Sequence, residues 1–465
     1  MRKSHLGLAI LSVSALSALT VAACSSSSSG SGDDSSNPND SGATDATTLD
    51  GSSPKDSGGG VDSGVDSGPP CTATPCVLSI AAGANHTCAL LADKTVRCWG
   101  GNESGETGQG VVDSGITYPT KDVPPTAVSD VTGITGISAG GVLGNLGLSC
   151  AVGTTGTLQC WGNDQYGQLG VGDAAVPSGP TPTLTLATNV TSVSSGAAHE
   201  CVVLNTGAVS CWGSNYYAET GRDSGTPSEP TPSIVPVPGG VSFTQVSASL
   251  EQTCAVTTDG HVWCWGINQQ FALGHDHIDG GVGENDPAQV AGISGVKQVA
   301  SGLEGACVVT TAGGIECWGY DIYGALGRND VDGGDAAVAD YHPQPVAAPS
   351  GVTFTEVTPV YAGYCALASD QTVWCWGANV YGELAQGTVD DAGTGVTPQN
   401  IGAPTKVPGL TGVTQVAGNS YALHACARIQ DGSVKCWGYN QYGQLGHAAP
   451  DGGSLFEVTP ATVTF

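Results

Sequence analysis

The chain has 465 residues, with 41 Asp and Glu against 12 Lys and Arg, a formal net charge of −29. So acidic a surface repels DNA and RNA, because binding them requires cations that neutralise phosphates. The 17 cysteines, most of them strictly spaced, point to an oxidising, extracytoplasmic compartment.

In chain order, residues 1–23 open with Arg2 and Lys3 and then run apolar from Leu6 to Val21. This reads as a secretory signal, too short and too near the terminus for a mature transmembrane helix. It ends Val21-Ala22-Ala23-Cys24, which resembles the bacterial lipoprotein processing site. The resemblance implies cleavage before Cys24 and lipidation of its sulfur and new amine, so that the membrane is a partner through the lipid. Ordinary signal cleavage beside a stray cysteine is the alternative. Setting Cys24 aside leaves an even number of cysteines. In a cell with two membranes, Ser25 resembles a signal for sorting to the outer one. Residues 24–70 are Ser, Gly and Asp with almost no large apolar side chain. They cannot bury enough surface to offset ordering entropy, so a disordered tether is expected. The spacing of its acids, Asp33 to Asp66, matches no defined calcium loop.

Residues 71–465 read as one domain. Cys71 and Cys76 flank T-A-T-P, and a small bridge between them would pin the domain entry. Two cysteines ten positions apart then recur seven times: Cys88–Cys98, Cys150–Cys160, Cys201–Cys211, Cys254–Cys264, Cys307–Cys317, Cys365–Cys375 and Cys426–Cys436. Trp-Gly follows each second cysteine, at Trp99, Trp161, Trp212, Trp265, Trp318, Trp376 and Trp437. The second cysteines recur every 51 to 62 residues, and a fixed period of this kind dictates a repeat architecture. Two residues inward from each cysteine the chain is aliphatic, Arg428 alone excepted, so the cysteines lie on the apolar face of a hairpin. Nine intervening residues suit a three-residue turn with a left-handed last position. Glycine stands there in five units, at Gly156, Gly207, Gly260, Gly313 and Gly432, while Lys94 and Gln371 suggest different turns in the other two. In this register the paired cysteines face each other within disulfide reach, each bridge contributing roughly 2.5–3 kcal/mol. Free thiols are the alternative. Zinc lacks a nearby C-x-x-C partner.

The ten residues from each tryptophan carry a further pattern: 161–170 read W-G-N-D-Q-Y-G-Q-L-G and 437–446 read W-G-Y-N-Q-Y-G-Q-L-G. Together with 80–89 (I-A-A-G-A-N-H-T-C-A), these resemble the repeat of the regulator of chromosome condensation (RCC1) family, over about residues 77–465. Copies at 99–108 and 212–221 are degenerate. The resemblance implies an all-β, seven-bladed propeller with a hairpin disulfide in each blade. Four strands per unit are expected: one such as 243–248, the cysteine hairpin, and a last one such as 287–290. Residues 456–465 complete the final blade or join the first. Family members are known for nucleotide exchange on a nuclear GTPase and for chromatin binding, while others inhibit secreted enzymes or serve as interaction platforms. The charge and the cysteines disfavour the first two roles here.

The fourth motif position is Asn or Asp throughout (Asn102, Asp164, Asn215, Asn268, Asp321, Asn379, Asn440), as turn capping requires. The sixth is tyrosine in five units, at Tyr166, Tyr217, Tyr323, Tyr381 and Tyr442, suited to packing beneath the turn or to a ring of binding anchors. Trp263 and Trp374 are extra tryptophans with partial exposure expected. His86 and His199 occupy a repeat position and read as structural. His275, Asp276 and His277 make only a weak metal pattern. Long loops at 101–130, 327–345 and 385–404 break the symmetry and are the best place for specificity. There is no nucleophile elbow, H-E-x-x-H or P-loop, hence no catalytic, cofactor-binding or metal residue to name. The expectation is a monomeric, non-enzymatic protein-binding module without a cofactor, lipid-anchored in the cell envelope. It would sit at the outer membrane or cell surface where two membranes exist, with an envelope or extracellular protein as partner. An enzyme acting on envelope or extracellular polymers is the alternative, and a nucleotide-exchange factor a further one.

Overall fold

Each cysteine unit folds into a four-stranded antiparallel sheet, and the computed structural model contains seven of them among its described residues. Those residues are 71–110, 123–142, 146–172, 178–223, 225–276, 283–329, 339–387, 400–419, 421–447 and 455–465. Residues 1–70, with the expected signal, Cys24, Ser25 and the tether, lie outside them.

Blade 1 consists of β1 (Val77–Ala82), β2 (His86–Leu91), β3 (Val96–Gly100) and β4 (Val123–Ala127). The other blades repeat this order over residues 134–184, 190–234, 243–289, 296–345, 354–406 and 413–462. The first three strands of every blade are dominated by buried residues. Fourth strands such as Phe456–Thr462 are half exposed. This outer edge is rich in proline (V-P-P-T-A in β4, S-E-P-T-P-S-I at Ser228–Ile234) and interrupted by register shifts. Proline is tolerated on an edge because it need not donate to a ladder, and it blocks pairing with another chain.

In every blade the paired cysteines face each other directly, as in Cys254↔Cys264, and are bridged with Cα–Cα separations of 4.0–4.2 Å. An eighth bridge joins Cys71 to Cys76. The hairpin turns are alike in all seven units. Lys94 (φ 65°) and Gln371 (φ 64°) take the same left-handed conformation as Gly260 (φ 79°), so the expectation of different turns there is corrected. The reason is a bond that the turn must make. The carbonyl of the left-handed residue accepts from the first residue of the next blade, as in Ile134 N→Lys94 O (3.1 Å) and Val413 N→Gln371 O (3.1 Å).

Blade 7 takes its four strands from one continuous stretch of sequence, so 456–462 complete the last blade, and among the described residues no strand is shared between blades 1 and 7. The ring closes by side chains and turn contacts instead. Gln415 bonds both the N–H and the C=O of Ile80, each at 2.9 Å. Arg428, the exception in the apolar pattern, donates to Val77 O (2.6 Å) across this same seam. Phe465 packs edge-on against Trp99, with ring centroids 5.5 Å apart. The Cys71–Cys76 loop lies against Gly432, where an added Cβ would fall 2.0 Å from the Cys71 sulfur.

The seven motif tryptophans are fully buried, and each joins two blades. Every indole N–H donates to the carbonyl of the eighth motif residue in the preceding blade, from Trp161 Nε1→Glu106 O (2.9 Å) round to Trp99 Nε1→Gln444 O (3.0 Å). Fully burying so large an apolar surface while satisfying its one donor makes these rings the main interblade joints.

Candidate interaction face

An up-and-down blade places its first-to-second and third-to-fourth connections on one side of the ring. The ten-residue motifs lie on that side, the hairpin turns on the other. The motif folds the same way in each blade. The fourth-position Asn or Asp accepts from the ninth backbone N–H in all seven, as in Asn440 Oδ1 from Leu445 N (3.0 Å) and Asp164 Oδ1 from Leu169 N (2.8 Å). The eighth-position Glu or Gln adds a second cap, with Glu383 Oε2 accepting from Tyr381 N (2.6 Å) and Gln444 Oε1 from Tyr442 N (2.9 Å). These residues are turn builders.

Side chains carried by this common backbone differ from blade to blade. At the centre, Ala84, Ala197 and Tyr421 cluster with the half-buried Val142 and Leu250. Residues from the inner-loop tips of five blades thus meet at the mouth of the ring. Beside them, Tyr361, Ala362, Ala378 and Leu423 form a second apolar patch, flanked by half-buried Leu303, Ile322, Tyr323, Val380, Tyr381 and Tyr439. Tyr381 is the hub, with ring centroids 6.5 Å from Tyr361, 5.4 Å from Tyr439 and 5.6 Å from Phe456. The sixth-position tyrosines therefore form no sevenfold ring. Tyr166 packs edge-on with the exposed Tyr216 (5.9 Å) and Phe271 meets Tyr341 between blades 4 and 5 (5.4 Å), while the densest group of aromatic contacts gathers on blades 6 and 7.

The same side is acidic. Burial pushes the Glu251 carboxyl up to about 7, with Glu219 and Glu304 adding repulsion. Burial also pushes Glu106 and Glu383 up to about 7. Two arginines of the motif loops are committed to the outer strands, Arg222 to Glu229 and Arg328 to Asp340 (3.0 Å). Tyr361 is raised by burial first, then by Tyr323, Glu383 and Tyr381, so its phenol stays neutral.

His86 and His199 are fully buried, and His424, a third copy that the sequence reading missed, matches them. Each bonds a hydroxyl of the next blade through Nε2: Ser149 (2.8 Å), Thr253 (2.9 Å) and Thr87 (2.9 Å). Burial lowers all three to about 3, which makes them neutral structural links. The position two before the first cysteine would have revealed His424. Trp263 and Trp374 are half-buried. His277 lies outside the described residues. His275 bonds the Asp276 carbonyl (3.1 Å), and among the described residues no group of three or more metal-ligating side chains occurs. The three long loops are shorter than expected, because β4, Ala339–Pro345 and Ile401–Lys406 take up their ends. All three emerge on the motif side, and their middles, 111–122, 330–338 and 388–399, lie outside the described residues.

Comparison with known proteins agrees with this geometry. The regulator of chromosome condensation (RCC1) repeat matches residues 77–106, 190–219, 243–271 and 413–444, and a second description of the same repeat matches 155–203 and 259–309. The chain carries RCC1 repeats in these segments. It is 28% identical over 378 residues to the ultraviolet-B receptor UVR8 of Arabidopsis thaliana, covering 80% of this RCC1-repeat chain and 78% of the receptor. It is 29% identical over 308 residues to the human E3 ubiquitin-protein ligase HERC2, covering 65% of this chain but 6% of the ligase. Among solved structures, Prp20p from Saccharomyces cerevisiae superposes with a TM-score of 0.65 at 18% identity, covering 85% of this chain and 88% of that one. That study describes binding of Prp20p to Gsp1p and histones, and a second structure holds yeast RCC1 (Prp20) bound to Kap60.

Proposed function

We propose that this RCC1-repeat propeller is a non-catalytic protein-binding module whose recognition surface is the apolar and aromatic sector of the motif face over blades 5–7. The observation that carries this reading is a break in symmetry: seven equivalent motifs share one backbone, yet tyrosines, Phe456 and aliphatic tips collect in one sector. Tyrosine-rich, half-buried patches bind well because they offer area at little entropic cost. The acidic surroundings favour a partner with a neutral or basic surface and oppose nucleic acid.

The propeller is further proposed to act outside the cytoplasm, tethered through residues 24–70 to a lipid on Cys24. Eight disulfides suit an oxidising compartment. An exchange-factor role fits them poorly.

The test is capture of envelope and secreted proteins by the oxidised protein and by two variants. Tyr381→Ala with Tyr439→Ala is expected to weaken a saturable partner by tenfold or more, in the range of about 1.4 kcal/mol upward. Asp259→Asn with Asp370→Asn, on the opposite side, is expected to leave it unchanged. Equal binding by both variants would remove the aromatic sector from consideration. Metabolic labelling with a fatty acid, lost in Cys24→Ala, tests the anchor separately.

A further inference from the structure

Three of the seven blade seams are joined at their innermost strands by a side-chain amide. Gln245 takes the N–H of Val299 on Oε1 and gives Nε2–H to the carbonyl of the same residue, both at 2.9 Å. Gln298 does the same to Val357 (2.8 and 3.1 Å), and Gln415 to Ile80 across the ring closure (2.9 and 2.9 Å). An amide suits this position because its acceptor and its donor answer the two groups that one backbone residue presents.

Blade 6 carries Glu356 at the equivalent place, three residues into Phe354–Pro359 as Gln298 is in Val296–Ser301. Its carboxyl accepts from Val416 N, the counterpart of the Gln–N–H bond in the other seams. The second oxygen, Oε1, is sealed from solvent and has no hydrogen-bond partner, although the residue as a whole keeps a partly exposed edge. A carboxylate there sets an acceptor where the three amide-bonded seams have a donor. A carboxylic acid restores the donor and can bond the Val416 carbonyl as the glutamines do. The charged side chain that acts on Glu356 is Lys297 of blade 5, which favours the anion. Burial outweighs it and holds the carboxyl up at about 8. Gln298 of blade 5 and Gln415 of blade 7, its ladder neighbours, are uncharged.

We infer that Glu356 is a protonated stand-in for glutamine, so that the seam between blades 6 and 7 is the proton-dependent joint of the ring. Loss of its proton leaves one acceptor facing another and opens this seam before the amide-bonded ones. Tyr381 of blade 6 and Tyr439 and Phe456 of blade 7 straddle the same joint on the motif side, so its state reaches the sector proposed for binding. The joint itself does not depend on that reading.

Folded-state protonation above the ordinary carboxylate range means that stability is lost as pH rises between about 4.5 and 8, at up to about tenfold in the folding equilibrium per pH unit. The experiment compares thermal midpoints of the oxidised protein and of Glu356→Gln from pH 5 to pH 9. The two are expected to coincide near pH 5 and to separate by roughly 2 °C or more at pH 9, with the variant higher. Gln298→Glu is the second arm and should create a new pH-dependent loss at the blade 5–6 seam. Amide exchange at Val416, corrected for its intrinsic pH dependence, should speed up toward pH 9 in the parent and not in Glu356→Gln. Parallel pH profiles for parent and Glu356→Gln, or a Val416 amide equally protected in both at pH 9, would overturn the inference.

Discussion

On the hairpin side of the ring all seven turns are alike, and even Lys94 and Gln371 are forced into the left-handed conformation that glycine fills elsewhere. On the motif side the backbone is just as uniform, with seven Asn or Asp caps in one geometry, but the side chains differ from blade to blade. Function in a repeat protein is therefore to be sought where the repeats diverge. Positions that agree seven times hold the ring together, and positions free to disagree carry the recognition chemistry. Stability and specificity therefore sit on the same blades at different residues.

The largest effect that separates the two sides is pH. His86, His199 and His424 sit at the motif-side ends of their strands and are held neutral in the fold at about 3. Protonation of the unfolded chain then removes stability as pH falls from about 6.5 toward 3, at roughly 1.4 kcal/mol per pH unit for each group. Glu106 and Glu383, raised to about 7, act in the opposite sense: their stability is present below about 4.5 and is lost as pH rises to 7. Relief of self-repulsion in so acidic a chain adds to the gain at low pH. The expected profile is a maximum on the acid side of neutrality, with losses toward both pH 3 and pH 8. The hairpin-side carboxylates Asp93, Asp259, Asp370 and Asp431 are exposed and bonded within their own turns, so their replacement by Asn should leave the shape of that profile unchanged. A stability that climbs steadily from pH 5 to pH 8 contradicts this account.

Next in size is the interblade tryptophan. Trp265→Ala removes a fully buried ring and its bond to Glu219 O (2.9 Å), and should cost about 3–5 kcal/mol in denaturant unfolding. Opening a single hairpin bridge, by replacing both Cys254 and Cys264 with Ala, should cost roughly 2.5–3 kcal/mol and leave partner binding intact. The smallest effect is a gain. Lys94→Gly releases a lysine from φ 65° without losing the turn's bond to Ile134, and should stabilise by about 0.5–1 kcal/mol. Loss of stability at Lys94→Gly would show that its side chain does more than occupy the turn.

The fold was legible because its determinants are local and repeated. The ten-residue cysteine spacing, the aliphatic residues inside it and the trailing Trp-Gly each report on one hairpin. The site was less legible because its parts come from distant positions. Tyr361, Tyr381, Tyr439 and Phe456 belong to four different loops or strands, and only the packing of blade 7 against blade 6 brings them together. The long loops stand out by breaking the period, but the fourth strands within them carry proline and are irregular in register, which hides them from alternation. Glu356 could not have been recognised at all without the partners of Gln245, Gln298 and Gln415, since nothing local marks an axial ladder.

An amide-exchange footprint of the oxidised propeller with a captured partner bound would locate the recognition face. Recognition by the aromatic sector should add protection at 360–362, 378–385 and 438–443, its tips and motif turns, with the hairpin turns unchanged. Protection confined to the hairpin turns, such as 92–95 and 258–261, would place recognition on the side where the blades agree and contradict the account.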